Sequence, residues 1–268
     1  MKISAFAKVN LSLEVYAKRA DGYHDLRSVV LPISLADELT IRPATCFASD
    51  TGYGEQDLCL RAATALAAAA THSVEPVSLQ VEKRIPAGGG LGGGSADAAA
   101  VLLALNDYWE MGFSPERLAQ IGAEVGSDVP ALVLGQAYGR PVLMEGRGER
   151  VSCLDLEQLN RNVLPTRHLV LANPGISAST AEVYARCVPR QNPTNEPVND
   201  LELPAVKLYP EILATMERLS SEGATGVRMS GSGATVFGFV ATSELASAVV
   251  DRLRSSGFSA WSALPFVG

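Results

Sequence analysis

The first fifteen residues alternate between apolar and polar side chains. Apolar side chains occupy every odd position from Ile3 to Val15, and most of the even positions are polar. This period of two is typical of a β-strand with one buried face and one open face. Asp21-Gly22 is a strong turn signal, because glycine adopts a positive φ without steric cost. Residues 26–33 are therefore predicted to return as the second strand of a hairpin.

Helical and strand patterns are mixed through the rest of the chain. The predicted helices span 58–70, 96–108, 209–220 and 243–255, with a further helix that starts at Ser114 (N-cap) and Pro115, and a short one after Pro130. The predicted strands span 77–85, 163–172, two segments within 226–240, and the C-terminal residues. Residues 188–198 are polar and proline-rich, which favours a loop. This short alternation predicts an α+β fold.

Composition narrows the class of protein. With 268 residues, 47% of them hydrophobic, the chain is globular and long enough for two modest domains, predicted at 1–160 and 161–268. The formal charge of −7, without a basic stripe, argues against a nucleic-acid partner. Apolar runs are too short for a membrane span or a signal peptide, which predicts a cytoplasmic protein with no membrane partner. The scattered cysteines and histidines predict reduced thiols and no standard zinc site.

A glycine-rich loop is the most distinctive segment. Residues 88–95, GGGLGGGS, lie between a predicted strand and a predicted helix. Without side chains, the backbone N–H groups approach a ligand closely, and the helix N-terminus adds unpaired N–H groups and a positive dipole. The loop therefore predicts an anion site, with phosphate as its natural occupant. A merely flexible turn is the alternative, although such a turn carries a conformational cost without a function.

The common phosphate loops fit this segment poorly. A Walker A loop has a lysine directly before its Ser or Thr, whereas Ser95 follows a glycine. The spacing Gly88-x-Gly90-x-x-Gly93 matches a dinucleotide fingerprint and leaves an NAD-binding oxidoreductase as a weak alternative. However, the acidic residues that follow close the same helix rather than a second strand. A protein-kinase loop needs HRD and DFG partners, which the sequence lacks.

Three segments together resemble the motifs of the GHMP kinases, a superfamily of small-molecule kinases. They are Ala7-Lys8-Val9-Asn10-Leu11 on the first strand, PAGGGLGGGSADAAA over residues 86–100, and MSGSGATVF over residues 229–237. The resemblance implies a two-domain α+β fold. Its N-terminal domain would resemble domain 2 of ribosomal protein S5, its C-terminal domain would be ferredoxin-like, and the site would lie in the cleft between them.

Five further segments indicate the substrate class that the resemblance implies. They are FAKVNLSLEV, RADGYHDLRS, VGSDVPALV, LANPGISAST and NDLELPAV, of which DGYH carries the most weight. They resemble the branch that phosphorylates the 2-hydroxyl group of a cytidyl diphosphate sugar alcohol in the non-mevalonate route to isoprenoids. The implied cofactors are ATP and Mg²⁺, and the implied state is a monomer or weak homodimer. A homoserine or mevalonate kinase, or a non-catalytic ATP-binding sensor, remains as the alternative.

The resemblance implies that Asp128 and Lys8 are the catalytic residues. Asp128, in GSDVP, would act as the base, because the attacking hydroxyl needs a proton acceptor or a positioning group. A helix N-cap is the alternative role for Asp128. Lys8 would keep Asp128 ionised and stabilise charge on the transferring phosphoryl group. A solvated lysine on an open sheet face is the alternative role for Lys8.

The resemblance also implies binding residues. The expected ATP-binding residues are Pro86, Ala87, Gly88, Gly89, Gly90, Leu91, Gly92, Gly93, Gly94, Ser95, Ala96 and Asp97. The expected substrate-binding residues are Asn10 as a hydrogen-bond partner, Tyr23 and Tyr184 as stacking faces for cytosine, His24 as its hydrogen-bond partner, and Gly231, Ser232 and Gly233 near its phosphates. Ser95 is a candidate Mg²⁺ ligand as well as a helix cap. Two departures from the family pattern are Ala96, where a second serine is common, and Asp57, where an asparagine near the adenine is expected.

Overall fold

The computed structural model describes residues 1–52, 54–159, 163–194 and 196–266. Its strands are β1 (Lys2–Lys18), β2 (His24–Pro43), β3 (Ala48–Ser49), β4 (Val77–Glu82), β5 (Val142–Gly146), β6 (Arg150–Cys153), β7 (His168–Asn173), β8 (Thr225–Met229), β9 (Val236–Val240) and β10 (Ser259–Ala263). Its helices are α1 (Leu58–Ala68), α2 (Gly93–Tyr108), α3 (Pro115–Val125), α4 (Val129–Tyr138), α5 (Thr180–Ala185), α6 (Glu202–Leu208), α7 (Pro210–Ser221) and α8 (Ser243–Ser255). Within these ranges, no helix has both the length and the apolar character that a bilayer crossing requires.

The hairpin of β1 and β2 is the spine of the first sheet. β1 pairs with β2 along its length. β2 also pairs with β5 through its first half and with β4 through its second half, and all of these pairs are antiparallel. β3 and β6 extend the two edges. Helices α2 and α4 pack against β1 and β2, and α1 and α3 pack on α2. The apolar positions of β1, such as Val9 and Leu11, are fully buried against these helices.

The polar face of β1 is also buried, which differs from the open face that the alternation predicts. Lys8, Asn10 and Glu14 are 3%, 2% and 1% exposed. The alternation identified the strand correctly, but a period of two cannot tell a solvated face from one that a second domain covers. Here the first glycine loop covers Lys8, whose Nζ donates to the Gly90 carbonyl, and the second domain supplies Ser230 to Asn10 and Thr194 to Glu14. The polar residues therefore have hydrogen-bond partners inside the protein.

β2 continues ten residues beyond the predicted end of the returning strand. The strand passes through Pro32 to Pro43, with a register irregularity where Phe6 pairs with Ala36 and Lys8 pairs with Pro32. The C-terminal segment pairs with the displaced backbone: Ser34 N donates to the Leu264 carbonyl at 2.8 Å, and Phe266 N donates to the Pro32 carbonyl at 2.9 Å. Pro32 lies beside this irregularity, where a strand tolerates a residue that cannot donate to the ladder.

The second sheet has the strand order β10-β7-β9-β8, and every neighbouring pair is antiparallel. Counted within this domain, the strand order is 4-1-3-2, and helices cross between the first and second strands and between the third and fourth. This is the β-α-β-β-α-β arrangement of a ferredoxin-like domain, as the resemblance implies.

The second sheet is buried on both faces, and the two domains share a core. Leu171 of β7 and Phe237 of β9 belong to the core of the first domain, whereas Val170 and Val236 belong to the core under α7 and α8. Arg228 adds a buried link, because its guanidinium donates to the Leu11 carbonyl of β1 at 2.7 Å. Burial lowers the pKa of Arg228 to about 10.

Most sequence-predicted elements are confirmed within a few residues, including the Ser114 cap and Pro115 at the start of α3. The sequence did not reveal α5, α6 or the β5–β6 hairpin, which are short and lack clear periodicity. α2 starts at Gly93, three residues before the predicted start. The boundary predicted between residues 160 and 161 lies outside the described residues and stays a prediction.

Candidate active site

A cavity of about 950 Å³ lies between the two domains. It is lined by backbone and side chains of both glycine loops, β1, the β5–β6 turn and α5. The predicted residues in its wall are Lys8, Asn10, Tyr23, His24, Pro86, Ala87, Gly88, Gly89, Gly90, Gly92, Gly93, Gly94, Ser95, Asp97, Asp128, Tyr184, Gly231 and Ser232. The structure therefore brings most of the sequence-predicted residues to one place.

Three predicted binding residues do not line the cavity. Leu91 and Ala96 are both fully buried and belong to the hydrophobic core of the first domain. Gly233 packs instead against Met229, whose Sδ lies 2.8 Å from the position of an added Cβ. The side chains of Leu91 and Ala96 therefore do not face the cavity, and a role of the three residues in ligand binding through their backbone stays a prediction.

Lys8 and Asp128 meet although 120 residues separate them in the sequence. Lys8 Nζ lies 3.3 Å from Asp128 Oδ2, with the lysine 3% and the aspartate 32% exposed at the side chain. Lys8 Nζ also donates to Asn10 Oδ1 at 2.6 Å and to the Gly90 carbonyl at 2.9 Å. The ammonium group thus touches the candidate base and the glycine loop at once, and it is not a solvated surface lysine.

Asp128 stands at the N-cap position of α4, but its side chain does not cap the helix. Its φ and ψ are −85° and −14°, and its carboxylate makes no hydrogen bond to the first turn within the described chain. A structural cap would accept a backbone N–H there. The carboxylate faces the cavity and Lys8 instead, which favours the functional role over the structural alternative.

Asn10 orients Lys8. Its Oδ1 accepts from Lys8, and its Nδ2 donates to Ser28 Oγ at 2.8 Å. The backbone N–H of Asn10 donates to Ser230 Oγ at 3.2 Å, which ties β1 to the second glycine loop. Two of the polar groups of the Asn10 amide are therefore engaged within the protein. The expected hydrogen bond to substrate stays a prediction, and it would use the remaining donor.

The first glycine loop leads into the N-terminus of α2. Gly92, the N-cap, has a φ of 68°, in the left-handed region, and no side-chain hydrogen bond from the described residues caps the helix. Gly93, Gly94 and Ser95 form the first turn and line the cavity. The N–H groups of a first turn have no acceptor within the helix, so they and the helix dipole favour an anionic ligand here.

The two glycine loops are joined directly by hydrogen bonds. The Gly90 carbonyl accepts from Ser230 Oγ at 2.9 Å as well as from Lys8. The Gly89 carbonyl accepts from Thr235 N at 3.1 Å. A Cβ on Gly90, whose φ is 75°, would lie 2.1 Å from the Ser230 carbonyl oxygen. The second loop is therefore more than a hairpin turn, since it fixes the position of the first.

Substituting Gly90 by alanine is expected to lower the free energy of unfolding by about 2 kcal/mol or more, since a positive φ and a backbone clash add together. Urea unfolding measures this change. Gly94→Ala is the matched control, because its added Cβ would meet only Leu58 Cδ1 at 3.5 Å. Equal stability of the two variants would show that the loops do not need close contact.

Asp57 caps α1 at one end of the cavity. Its side chain accepts from Cys59 N at 2.8 Å and Leu60 N at 3.3 Å, and also from the Thr51 hydroxyl. Burial alone would raise the pKa of Asp57, but these hydrogen bonds and one from Ser49 lower it below its ordinary value. An ionised, helix-capping carboxylate thus stands where the family resemblance implies an asparagine.

Asp97 belongs to a buried charge cluster in the same end of the cavity. Lys83 Nζ donates to Asp97 Oδ2 at 2.8 Å and also bonds to Asp37 Oδ2. Asp97 Oδ1 is buried and has no hydrogen-bond partner among the described residues. Burial raises the pKa of Asp97 to about 7, with Asp37 adding to the rise and Lys83 opposing it.

Substituting Asp97 by asparagine is expected to flatten the pH dependence of stability. Because the pKa of about 7 in the folded protein lies above the ordinary 3.8, the folded state binds more protons between these values. This group therefore makes the free energy of unfolding fall as pH rises from about 4 to about 7, and asparagine removes that contribution. Urea unfolding across this range, without nucleotide or metal, measures the slope. The exposed Asp251→Asn control should follow the wild type, and an unchanged slope in Asp97→Asn would contradict the assignment.

Aromatic side chains line the opposite end of the cavity. Tyr23 is 55% exposed, and the rings of His24 and Tyr184 lie 5.9 Å apart between centroids. His24 Nδ1 lies 3.0 Å from the Tyr16 carbonyl oxygen, and the residue lines the cavity. Burial raises the pKa of Tyr184, and the nearby Asp128 adds to the rise. Two tyrosines and an imidazole around one space suit a planar, hydrogen-bonding base.

Sequence reasoning did not identify several residues of the cavity wall, among them Lys18, Lys83, Arg147 and Thr180. Lys83 directly precedes the turn into the glycine loop, and Thr180 ends the segment LANPGISAST, so their context gave a signal. Thr180 Oγ1 lies 2.8 Å from Ser232 Oγ and joins α5 to the second loop. Lys18 directly precedes the segment RADGYHDLRS, so its context also gave a signal, whereas no quoted segment contains or adjoins Arg147.

Comparison with known proteins shows which families the chain resembles. The family described as GHMP kinases N terminal domain matches residues 57–136, and GHMP kinases C terminal matches residues 190–259. A homoserine kinase from Cytophaga hutchinsonii has a TM-score of 0.71 at 15% identity, covering 100% of this chain and 96% of that one, which shows a shared fold alone. The two-domain α+β fold that the motifs imply is therefore confirmed.

Two nearer relatives carry a more specific name. The 4-diphosphocytidyl-2-C-methyl-D-erythritol kinase of Geobacter metallireducens is 38% identical over 278 residues, covering 96% of this chain and 95% of the relative. A crystal structure of 4-(cytidine 5'-diphospho)-2C-methyl-D-erythritol kinase has a TM-score of 0.84 at 36% identity and covers 100% of both chains. With such identity over almost its whole length, the chain belongs to the 4-diphosphocytidyl-2-C-methyl-D-erythritol kinase family of GHMP kinases.

Proposed function

We propose that this protein transfers the γ-phosphoryl group of ATP to the 2-hydroxyl group of 4-diphosphocytidyl-2-C-methyl-D-erythritol. The observation that carries the proposal is the Lys8–Asp128 pair, 3.3 Å apart, directly beside the glycine loop that is predicted to bind phosphate. A carboxylate and a buried ammonium at this place suit the attack of an alcohol on a phosphoryl group.

In the proposed reaction, Asp128 orients the 2-hydroxyl group and accepts its proton. The hydroxyl oxygen forms a bond to the γ-phosphorus, and the bond from that phosphorus to the β–γ bridging oxygen breaks, which releases ADP. Lys8 forms an ion pair with this carboxylate and lies close enough to the loop to stabilise negative charge on the transferring group. Asn10 holds Lys8 in this position.

The phosphates of ATP would bind on the first glycine loop and the N-terminus of α2. Magnesium on a nucleotide takes most of its ligands from phosphate and water and needs only one or two protein oxygens. The Ser95 hydroxyl and the Asp128 carboxylate line the cavity and are of the right chemistry, whereas the described residues contain no cluster of three acidic, His or Cys side chains for a metal. Because Asp128 is proposed as the base, Ser95 is the proposed protein ligand. Mg²⁺ would neutralise the phosphate charge.

The cytosine would bind between Tyr23 and Tyr184, with His24 as its hydrogen-bond partner. Homoserine and mevalonate carry no base, so the aromatic end of the cavity argues against a homoserine or mevalonate kinase. The intact Lys8–Asp128 pair argues against a non-catalytic sensor. The oxidoreductase alternative is disfavoured because β4, the strand before the glycine loop, pairs antiparallel with β2, whereas a dinucleotide-binding loop follows a strand of a mostly parallel sheet.

A direct assay tests the proposal. The purified protein is mixed with ATP, Mg²⁺ and the cytidyl substrate, and ADP release is followed, with homoserine and mevalonate in parallel. We expect release with the cytidyl substrate alone, and a new phosphomonoester signal in the ³¹P spectrum of the product. Release with homoserine or mevalonate instead would overturn the proposed substrate, and ATP binding without release would favour the sensor.

A further inference from the structure

The turn between β5 and β6 reaches into the aromatic end of the cavity. Gly146 and Gly148 have φ of 72° and 118°, so Arg147 sits between two residues in conformations that side chains rarely adopt. A Cβ on Gly148 would lie 2.2 Å from the Ser127 carbonyl oxygen. The turn is thus packed tightly against the segment that carries Asp128, and its backbone is fixed.

This fixed turn places the guanidinium of Arg147 over the ring of Tyr23. The Arg147 Cζ atom lies 5.3 Å from the ring centroid, within the range of a cation–π interaction. Arg147 Nη1 is also 3.8 Å from Asp21 Oδ2, on the turn that carries Tyr23. Both side chains line the cavity. Two turns that are distant in sequence therefore meet at this ring.

The Tyr23 ring otherwise projects from an exposed turn. Its backbone is held, because Tyr23 N donates to Asp21 Oδ1 at 3.1 Å and its carbonyl accepts from Arg19 N at 2.7 Å. The side chain is 55% exposed, so its rotamer is not determined by packing in a core. An aromatic side chain that must stack on a ligand binds more tightly when its orientation is fixed beforehand.

We propose that Arg147 is a positioning residue for the substrate base, covering one face of the Tyr23 ring and leaving the other face for cytosine. The inference rests on the proposed function, in which Tyr23 stacks on the cytosine. The layers would then be guanidinium, phenol and base. A cation on one face of the ring would also restrict the motion of the phenol before the base binds, which reduces the entropy lost on binding.

The test measures binding of cytidine diphosphate by calorimetry, together with steady-state kinetics. Arg147→Ala is expected to weaken cytidine diphosphate binding about two- to fivefold, the range of an exposed cation–π contact. The KM for the cytidyl substrate should rise by the same factor, while kcat and the affinity for ADP stay unchanged. Arg147→Lys should recover part of the loss. Arg150→Ala, an exposed arginine on the adjoining strand, is the matched control.

A double-mutant cycle shows whether Arg147 acts through Tyr23. In a Tyr23→Leu background, Arg147→Ala should have little further effect on cytidine diphosphate affinity, because the shared contact is already lost. Independent, multiplying effects would overturn the proposal, and so would tighter binding by Arg147→Ala, which would mean that the guanidinium occupies the place of the base. Failure of the wild type to bind cytidine diphosphate would instead refute the cytosine site of the proposed function.

Discussion

Replacing Asp128 by asparagine is expected to lower kcat by about 10²- to 10⁴-fold, the contribution of a positioned general base. Asparagine keeps the shape of the side chain but cannot accept the proton of the attacking hydroxyl. The KM for ATP should change little, because the nucleotide phosphates are expected to bind on the glycine loop. The measurement is ADP release at saturating concentrations of both substrates.

Thermal unfolding provides a control for the Asp128→Asn variant. Because the Asp128 side chain makes no capping hydrogen bond to α4, its replacement should leave thermal unfolding close to that of the wild type. Asp251→Asn, an exposed substitution on α8, should keep full activity. If Asp128→Asn kept more than a tenth of the wild-type kcat, the carboxylate would not be the base, and the transfer would need positioning alone.

Replacing Lys8 by methionine is expected to lower kcat by about 10²- to 10³-fold, similar to the loss of one preorganised donor at a developing charge. The variant also leaves Asn10 Oδ1 without its donor in a buried site, which should reduce the free energy of unfolding by about 1–3 kcal/mol. Lys207→Met, at an exposed position on α6, is the control for the loss of a positive charge.

The two catalytic variants should not be independent. Since Lys8 acts partly by holding the Asp128 carboxylate in place, the Lys8→Met, Asp128→Asn double variant should be barely slower than the worse single variant. Losses that multiply would show that the two side chains contribute separately and that their 3.3 Å separation has no catalytic role. Thermal unfolding of each variant separates lost chemistry from lost folding.

The sequence predicts those features that depend on a local pattern of residues. The alternation in β1, the cap at Ser114 and the glycine loop each depend on a few neighbouring residues, and the structure has them where expected. Lys8 and Asp128 stand in segments that match family motifs, which is why the sequence predicts both as catalytic residues. Their meeting, however, depends on how α4 packs against β1, which no local pattern states.

The parts that could not be predicted are those that depend on contacts between distant segments. Leu91 in the glycine loop and Ala96 on α2 lie inside a binding motif, yet both side chains pack into the core of the first domain. Arg147 is a single arginine in a short turn, and only the approach of that turn to Tyr23 gives it a place in the site. The burial of Glu14 likewise follows from the second domain that covers β1.

The double burial of β7 has a consequence for how this enzyme can change over generations. Leu171 packs into a core made mostly by the first half of the chain, whereas its neighbour Val170 packs into the core of the second domain. Recombination between the genes of two diverged relatives near residue 160 would join an N-terminal half from one with a C-terminal half from the other. The side chains that pack between these halves would then not match in size and shape. We expect such hybrids to unfold more readily than either parent, so the two halves are inherited as a matched pair and not as exchangeable modules.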